Sequence, residues 1–135
     1  MESLVPGESQ TRVLRIYADD KGNSHMEELT VAMTRGQRAR SAKDIPVTGM
    51  LLREYVPSVV DWHTVPVRQF AITIVGELEV EVSDGARRQV KAGELVFLED
   101  TEGKGHVTRL LGPVTNLYIQ VPARFDVVAW SRGEG

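Results

Sequence analysis

The chain contains no cysteine. Disulfide staples, thiol nucleophiles, thiolate metal ligands and thiol redox switching are therefore excluded. It also lacks a long apolar run: no stretch approaches the roughly 18 consecutive apolar residues of a membrane span. The opening MESLVPGESQ is polar and has no apolar core of an export signal, so a cytoplasmic location is expected and no membrane partner. Neither charge sign dominates, with 16 Lys and Arg against 19 Asp and Glu and a net charge of −3. That balance provides no electrostatic footprint for nucleic acid. The densest basic run, TRGQRAR at 34–40, reads as a solvated loop. Several catalytic signatures are missing too. There is no HExxH, no GxSxG and no nicotinamide fingerprint, and the GKG at 103–105 lacks the spacing and following Ser or Thr of a phosphate loop.

What remains is a chain of 135 residues, enough for one domain. Short apolar alternations are separated by turn residues. LEVEV at 78–82 sets Leu78, Val80 and Val82 on one side and Glu79 and Glu81 on the other, the period of two of a half-buried strand. Similar strands are expected around the turn at Asp19 to Asn23, in MLLREYV (50–56), FAITIV (70–75), Arg87 to Val90, LVFLE (95–99), VTRLL (107–111) and Asn116 to Val121. Residues 34–48 read as a loop. No convincing helix appears. The spacing of strands and turns predicts one all-β domain, a sandwich or barrel over 11–130, with loose tails at 1–10 and 131–135.

Only three histidines are available for chemistry: His25, His63 and His106. His63 stands before the strand FAITIV and His106 after Gly103-Lys104-Gly105, so antiparallel pairing brings both toward one pocket. Imidazole suits Fe, Ni, Zn or Cu, and the amide oxygen of Gln69 is a neutral third ligand. His25 is a further candidate ligand. Glu99 and Asp100 are the carboxylates nearest His106 in sequence, and Glu99 is taken as a candidate general base or as a group that orients a histidine. Trp62 and Phe70 flank His63 and Gln69 as candidate pocket walls, and Arg53, inside a strand, as a candidate partner for a carboxylate.

With these residues the chain resembles the cupin superfamily, the RmlC-like jelly rolls. The first motif of that family, G-x5-H-x-H-x3,4-E-x6-G, is matched by His63 at the first histidine and Gly76 at the closing glycine. Val65 falls on its second histidine, Gln69 on its glutamate and Pro57 on its opening glycine. The second motif, G-x5-P-x-G-x2-H-x3-N, aligns with Gly93, Gly103 and His106, and Leu110 stands at its asparagine. The resemblance covers residues 48–121. It implies a jelly-roll β-barrel, a homodimer, and a divalent ion (Mn, Fe, Ni or Zn) held by His63, Gln69, His106 and His25.

The function so implied is that of a small-molecule enzyme in which the ion polarises a substrate oxygen while His63, His106 or Glu99 moves a proton. Lyase, isomerase and oxygenase chemistry all fit. Two alternatives stay open: a non-catalytic barrel that binds or senses a small molecule, and a metal-free acid-base isomerase or cyclase.

Overall fold

The structure is a computed structural model, and it describes residues 2–3 and 10–134. Most of the expected tail at 1–10 lies outside those residues, as does Gly135. Thirteen strands and one short helix are present among the described residues. The strands are β1 (Glu2–Ser3), β2 (Arg12–Ala18), β3 (Ser24–Thr30), β4 (Thr34–Arg35), β5 (Arg40–Ser41), β6 (Gly49–Tyr55) and β7 (Ser58–His63). They continue as β8 (Gln69–Val75), β9 (Glu77–Val82), β10 (Arg87–Lys91), β11 (Leu95–Leu98), β12 (His106–Leu110) and β13 (Val114–Gln120), before α1 (Val127–Ser131).

Two sheets carry the fold. One has six strands in the order β3-β2-β11-β8-β13-β6, the other four in the order β10-β9-β12-β7. The four-stranded sheet is antiparallel throughout, while the larger sheet is mixed because β2 runs parallel to β11. Neither sheet pairs back on itself. The expected closed barrel is therefore replaced by two open sheets in a jelly-roll-like arrangement. β6 and β7 are the last strands on their sheets and follow one another across Val56 and Pro57. Proline has no N–H to donate and favours an extended preceding residue, so the ladder breaks there and the chain crosses from one sheet to the other.

The burial pattern follows from side-chain alternation. In β9 the residues Leu78, Val80 and Val82 are buried, as the period of two requires. With Ile16, Val96 and Leu110 they belong to an apolar cluster to which both sheets contribute. Strands β2 and β11 are buried on both faces. Leu14, Ile16, Val96 and Leu98 pack in the first cluster, and Val13 and Phe97 in a second. That second cluster joins Phe70 and Phe97 to Phe125, Val127 and Trp130, with ring centroids of Phe70 and Phe97 4.7 Å apart at an edge-on angle.

Helix α1 is where the all-strand expectation fails. Its signal is Asp126, whose Oδ1 accepts from the backbone N–H groups of Val128 (3.0 Å) and Ala129 (3.1 Å) as an N-cap. The helix persists because Val127 and Trp130 are buried in the second cluster, and the indole Nε1 donates to the carbonyl of Lys43 at 2.7 Å. The expected loose tail at 131–134 is held in turn, with Gly133 N–H donating to Trp130 O and Glu134 N–H to Ala129 O. At the other terminus Glu2–Ser3 pairs with β4, and β4 pairs with β5, so the expected loop at 34–48 contains two short strands.

Phe97 is fully buried and holds α1 to the sheet from behind. Phe97→Ala is expected to cost about 3–5 kcal/mol, the usual range for an aromatic deleted from a core. Denaturant unfolding followed by tryptophan fluorescence measures this directly.

Candidate functional site

β7 and β12 are antiparallel neighbours, and their register sets His63 directly opposite His106. A register shift between His106 and Thr108 follows this pair. The two imidazole rings lie 4.4 Å apart between centroids, tilted by 58°. They stand side by side on one wall rather than facing each other across the interior. The chain approaches this pairing through Gly105, which has a positive φ of 70°. A Cβ at that position would sit 2.0 Å from the carbonyl oxygen of His63, so only glycine allows the two backbones to come this close. Gly103 is similarly placed: a Cβ there would lie 2.4 Å from the carbonyl oxygen of Gly22.

Behind His106 lies Asp100. The Asp100 side chain is fully buried, and its Oδ2 accepts from Nδ1 of His106 at 2.5 Å. Its other oxygen has no hydrogen-bond partner among the described residues. An ionised carboxylate can only accept, so the hydrogen bond places a proton on Nδ1 of His106 and aims Nε2 away from the carboxylate. The same logic holds for His63, whose Nδ1 lies 2.8 Å from the carbonyl oxygen of Asp61. In their neutral forms both rings therefore carry the free lone pair on Nε2. Burial, and then the neighbouring His106, push His63 below its ordinary pKa of 6.5, against the opposing pull of the Asp61 carbonyl and of Asp100.

Both histidines line a cavity of about 310 Å³. That volume is at the lower end of the roughly 300–1,000 Å³ of small-molecule pockets. Apolar side chains make up much of the wall, among them Val60, Val65, Leu78, Val80, Val96 and Leu98. Gln69, Thr73, Asn116 and Tyr118 add polar atoms from the six-stranded sheet. Arg53 and Tyr55 of β6 stand in the same lining.

The other sequence candidates lie elsewhere. Trp62 is 46% exposed, turned away by alternation from His63. Phe70 is buried in the second core cluster on the opposite face from Gln69, for the same reason. Glu99 is held by Arg15 through Nε and by Arg68, whose Nη2 donates at 2.8 Å. It follows cavity-lining Leu98 and so turns to the other side of the sheet; the carboxylate at His106 is Asp100.

His25 belongs to a clip between turns. Its Nε2 lies 2.7 Å from Asp19 and its Nδ1 2.9 Å from Asp84. Next to it, the buried hydroxyl of Ser24 donates to the carbonyl of Gly105 at 2.6 Å and accepts from Ser83 N–H at 2.7 Å. The β2–β3 turn, the β9–β10 turn and the loop that carries Asp100 are thereby tied together, with Lys104 N–H donating to Gly22 O.

The expected metal ligation is overturned by these placements. Among the described residues no three His, Cys, Asp or Glu side chains are grouped so as to hold an ion. His25 is spent on two carboxylates, Asp100 is committed behind His106, Val65 offers no donor and Gln69 is neutral. Two imidazoles and a neutral amide, with no third His, Cys, Asp or Glu, are a weak donor set for a divalent ion.

No family model and no curated protein matches the chain. Among solved structures it is similar to the protein NMB1881 from Neisseria meningitidis, with 14% identity over 63% of this chain and 90% of that chain and a TM-score of 0.47. It is also similar to a Salmonella typhimurium LT2 protein provisionally assigned as ethanolamine utilization protein Q. There the identity is 16% over 84% of this chain and 98% of that chain, with a TM-score of 0.47. Among the described residues no helix is long and apolar enough to cross a membrane.

Gly105→Ala is expected to destabilise the fold by roughly 1–3 kcal/mol and to separate the two histidines, which NMR of their ring protons reads. The clip predicts a pH signature. The side chains of Asp19 first and Asp84 next raise the pKa of His25 above 6.5. Its stabilisation is therefore complete below the unfolded value and is lost as pH rises through the raised one. His25→Gln should lower the melting temperature clearly at about pH 5.5 and much less at about pH 9. An equal loss at both values would show that the clip does not act through charge.

Proposed function

We propose that the protein binds a small organic molecule in this cavity and moves a proton on it without a metal, using His106 and His63. The observation that carries the reading is the buried, hydrogen-bonded pair Asp100–His106 on a cavity wall with half-buried His63 beside it. An imidazole held by a carboxylate at Nδ1 presents Nε2 as a base, and the carboxylate stabilises the imidazolium that forms. In such a step Nε2 of His106 accepts a proton from a carbon next to a carbonyl. The C–H electron pair passes into the enolate, and the imidazolium, whose N–H exchanges with solvent, returns a proton to an adjacent carbon or oxygen. His63, kept neutral by its burial, serves as the second acceptor at this wall. The apolar lining lowers the local dielectric and so strengthens each of these interactions.

Deuterium uptake from D2O into pyruvate, glyceraldehyde and lactate tests the proposal by NMR, with and without EDTA. Exchange that persists in EDTA and falls about 10²–10⁴-fold in both His106→Asn and His63→Asn fits acid-base catalysis by a side chain. Exchange abolished by EDTA overturns the metal-free reading. Binding of these compounds without any exchange assigns the cavity to the second reading, a non-catalytic binding protein. The unpartnered amide oxygen of Asn116, a group suited to holding a ligand rather than transforming it, favours that reading.

A further inference from the structure

The wall facing the histidines carries polar groups that proton transfer does not use. Arg53 and Tyr55 come from β6, Asn116 and Tyr118 from the adjacent β13, where the register pairs Asn116 with Arg53. Asn116 Nδ2 donates to the Tyr118 hydroxyl at 3.2 Å, and that hydroxyl lies 2.7 Å from the hydroxyl of Tyr55. The phenol of Tyr118 is pushed far up, chiefly by burial, and either hydroxyl can donate in its pair with Tyr55. With Tyr118 as the donor, the hydroxyl hydrogen of Tyr55 is left for a ligand. The guanidinium of Arg53 stands beside Tyr55 and over the Tyr118 ring, 5.8 Å from its centroid.

Two features of this wall point to a ligand. Asn116 is only 4% exposed, and its Oδ1 has no hydrogen-bond partner among the described residues. A buried acceptor left unpaired is costly, and a ligand N–H or O–H relieves that cost. Second, Arg53 is the one permanently charged side chain among the described residues of the lining, and the lining holds no carboxylate. This wall therefore offers a guanidinium and a phenol hydroxyl able to hold one carboxylate. A phosphate monoester carries close to two charges at neutral pH. A single cation matches it poorly.

We propose that the ligand class is a small hydroxy acid: a carboxylate on Arg53 and Tyr55, and a neighbouring hydroxyl donating to Oδ1 of Asn116. This deepens the function proposed above and rests on its reading of the cavity. The carbon that bears the hydroxyl then faces the wall of His63 and His106.

The test is binding rather than turnover, so it can fail independently of the proton chemistry. Glycolate, lactate and mandelate are titrated into the protein against glycolamide, lactamide and mandelamide, with phosphoglycolate as the phosphate arm, and followed by NMR shifts of cavity amides. The acids are expected to bind about tenfold or more tightly than their amides, the worth of one charge-assisted contact. Arg53→Gln should erase that preference and Tyr55→Phe should reduce it. Both sites tolerate the change, since Arg53 is exposed and Tyr55→Phe keeps the ring. Asn116→Asp should weaken the acids further by repulsion. Amides that bind as well as acids, with Arg53→Gln without effect, would overturn the acid class and leave the cavity reading intact. Tighter binding of phosphoglycolate than of glycolate would overturn the carboxylate. Absence of cavity shifts with every probe overturns both readings.

Discussion

The hydrogen bond between Asp100 and His106 is the constraint around which the rest of the molecule is arranged. A carboxylate withdrawn completely from water is stable only beside a partner that compensates it. Here the partner is an imidazole that is itself almost fully buried. Holding the two in place requires that the loop between them, residues 101–105, return sharply to the start of β12. The return succeeds because two glycines let backbone touch backbone, Gly103 against Gly22 and Gly105 against the carbonyl of His63. The Ser24 hydroxyl then anchors the carbonyl of Gly105 from a third direction.

The same loop explains how distant parts of the chain act on the site without touching a ligand. His25 lies at the start of β3 outside the cavity, yet the turn it clips is the one against which Gly103 and Lys104 rest. The histidines of this protein therefore divide by environment. His25 is drawn toward the charged form by carboxylates, while burial holds His63 toward the neutral form. Identical side chains are thereby shifted in opposite directions from the same ordinary pKa.

Much of the fold was legible in the sequence because it depends on local signals. The alternation in LEVEV and the turn residues at 83–85 map directly onto β9 and the turn that ends it. What was not legible depends on tertiary packing. β7 was missed because SVVDWH has little alternation and lies at a sheet edge with exposed residues, so no buried face marks it. α1 was missed because a helix of five residues owes its existence to Trp130 and Val127 packing under the sheet. The site was partly readable. The spacing of His63 and His106 about strand termini survives in the structure as a cross-strand pair. Period-two reasoning places Trp62 and Phe70 on the faces away from His63 and Gln69. The choice between Glu99 and Asp100 was also within reach, since Leu98 faces the interior and the sheet ends after it. By contrast, nothing local distinguishes Asn116 from any other strand asparagine. Its isolation shows only when its neighbours on β13, β6 and β8 are in place.

The parallel pairing of β2 with β11 has a consequence for the order in which the protein assembles. Val13 lies beside Leu95 and Ile16 beside Leu98, partners more than eighty positions apart in the chain. Such pairs close late, because the entropy of a long loop must be lost before they form, and all-β domains of this kind fold in roughly milliseconds to seconds. While the chain is being synthesised, the hairpin of β2 and β3 emerges before β11 and must wait for residue 98 with Val13 and Ile16 still exposed. The least protected moment in the life of this molecule is therefore its birth, when β2 has been made and β11 has not.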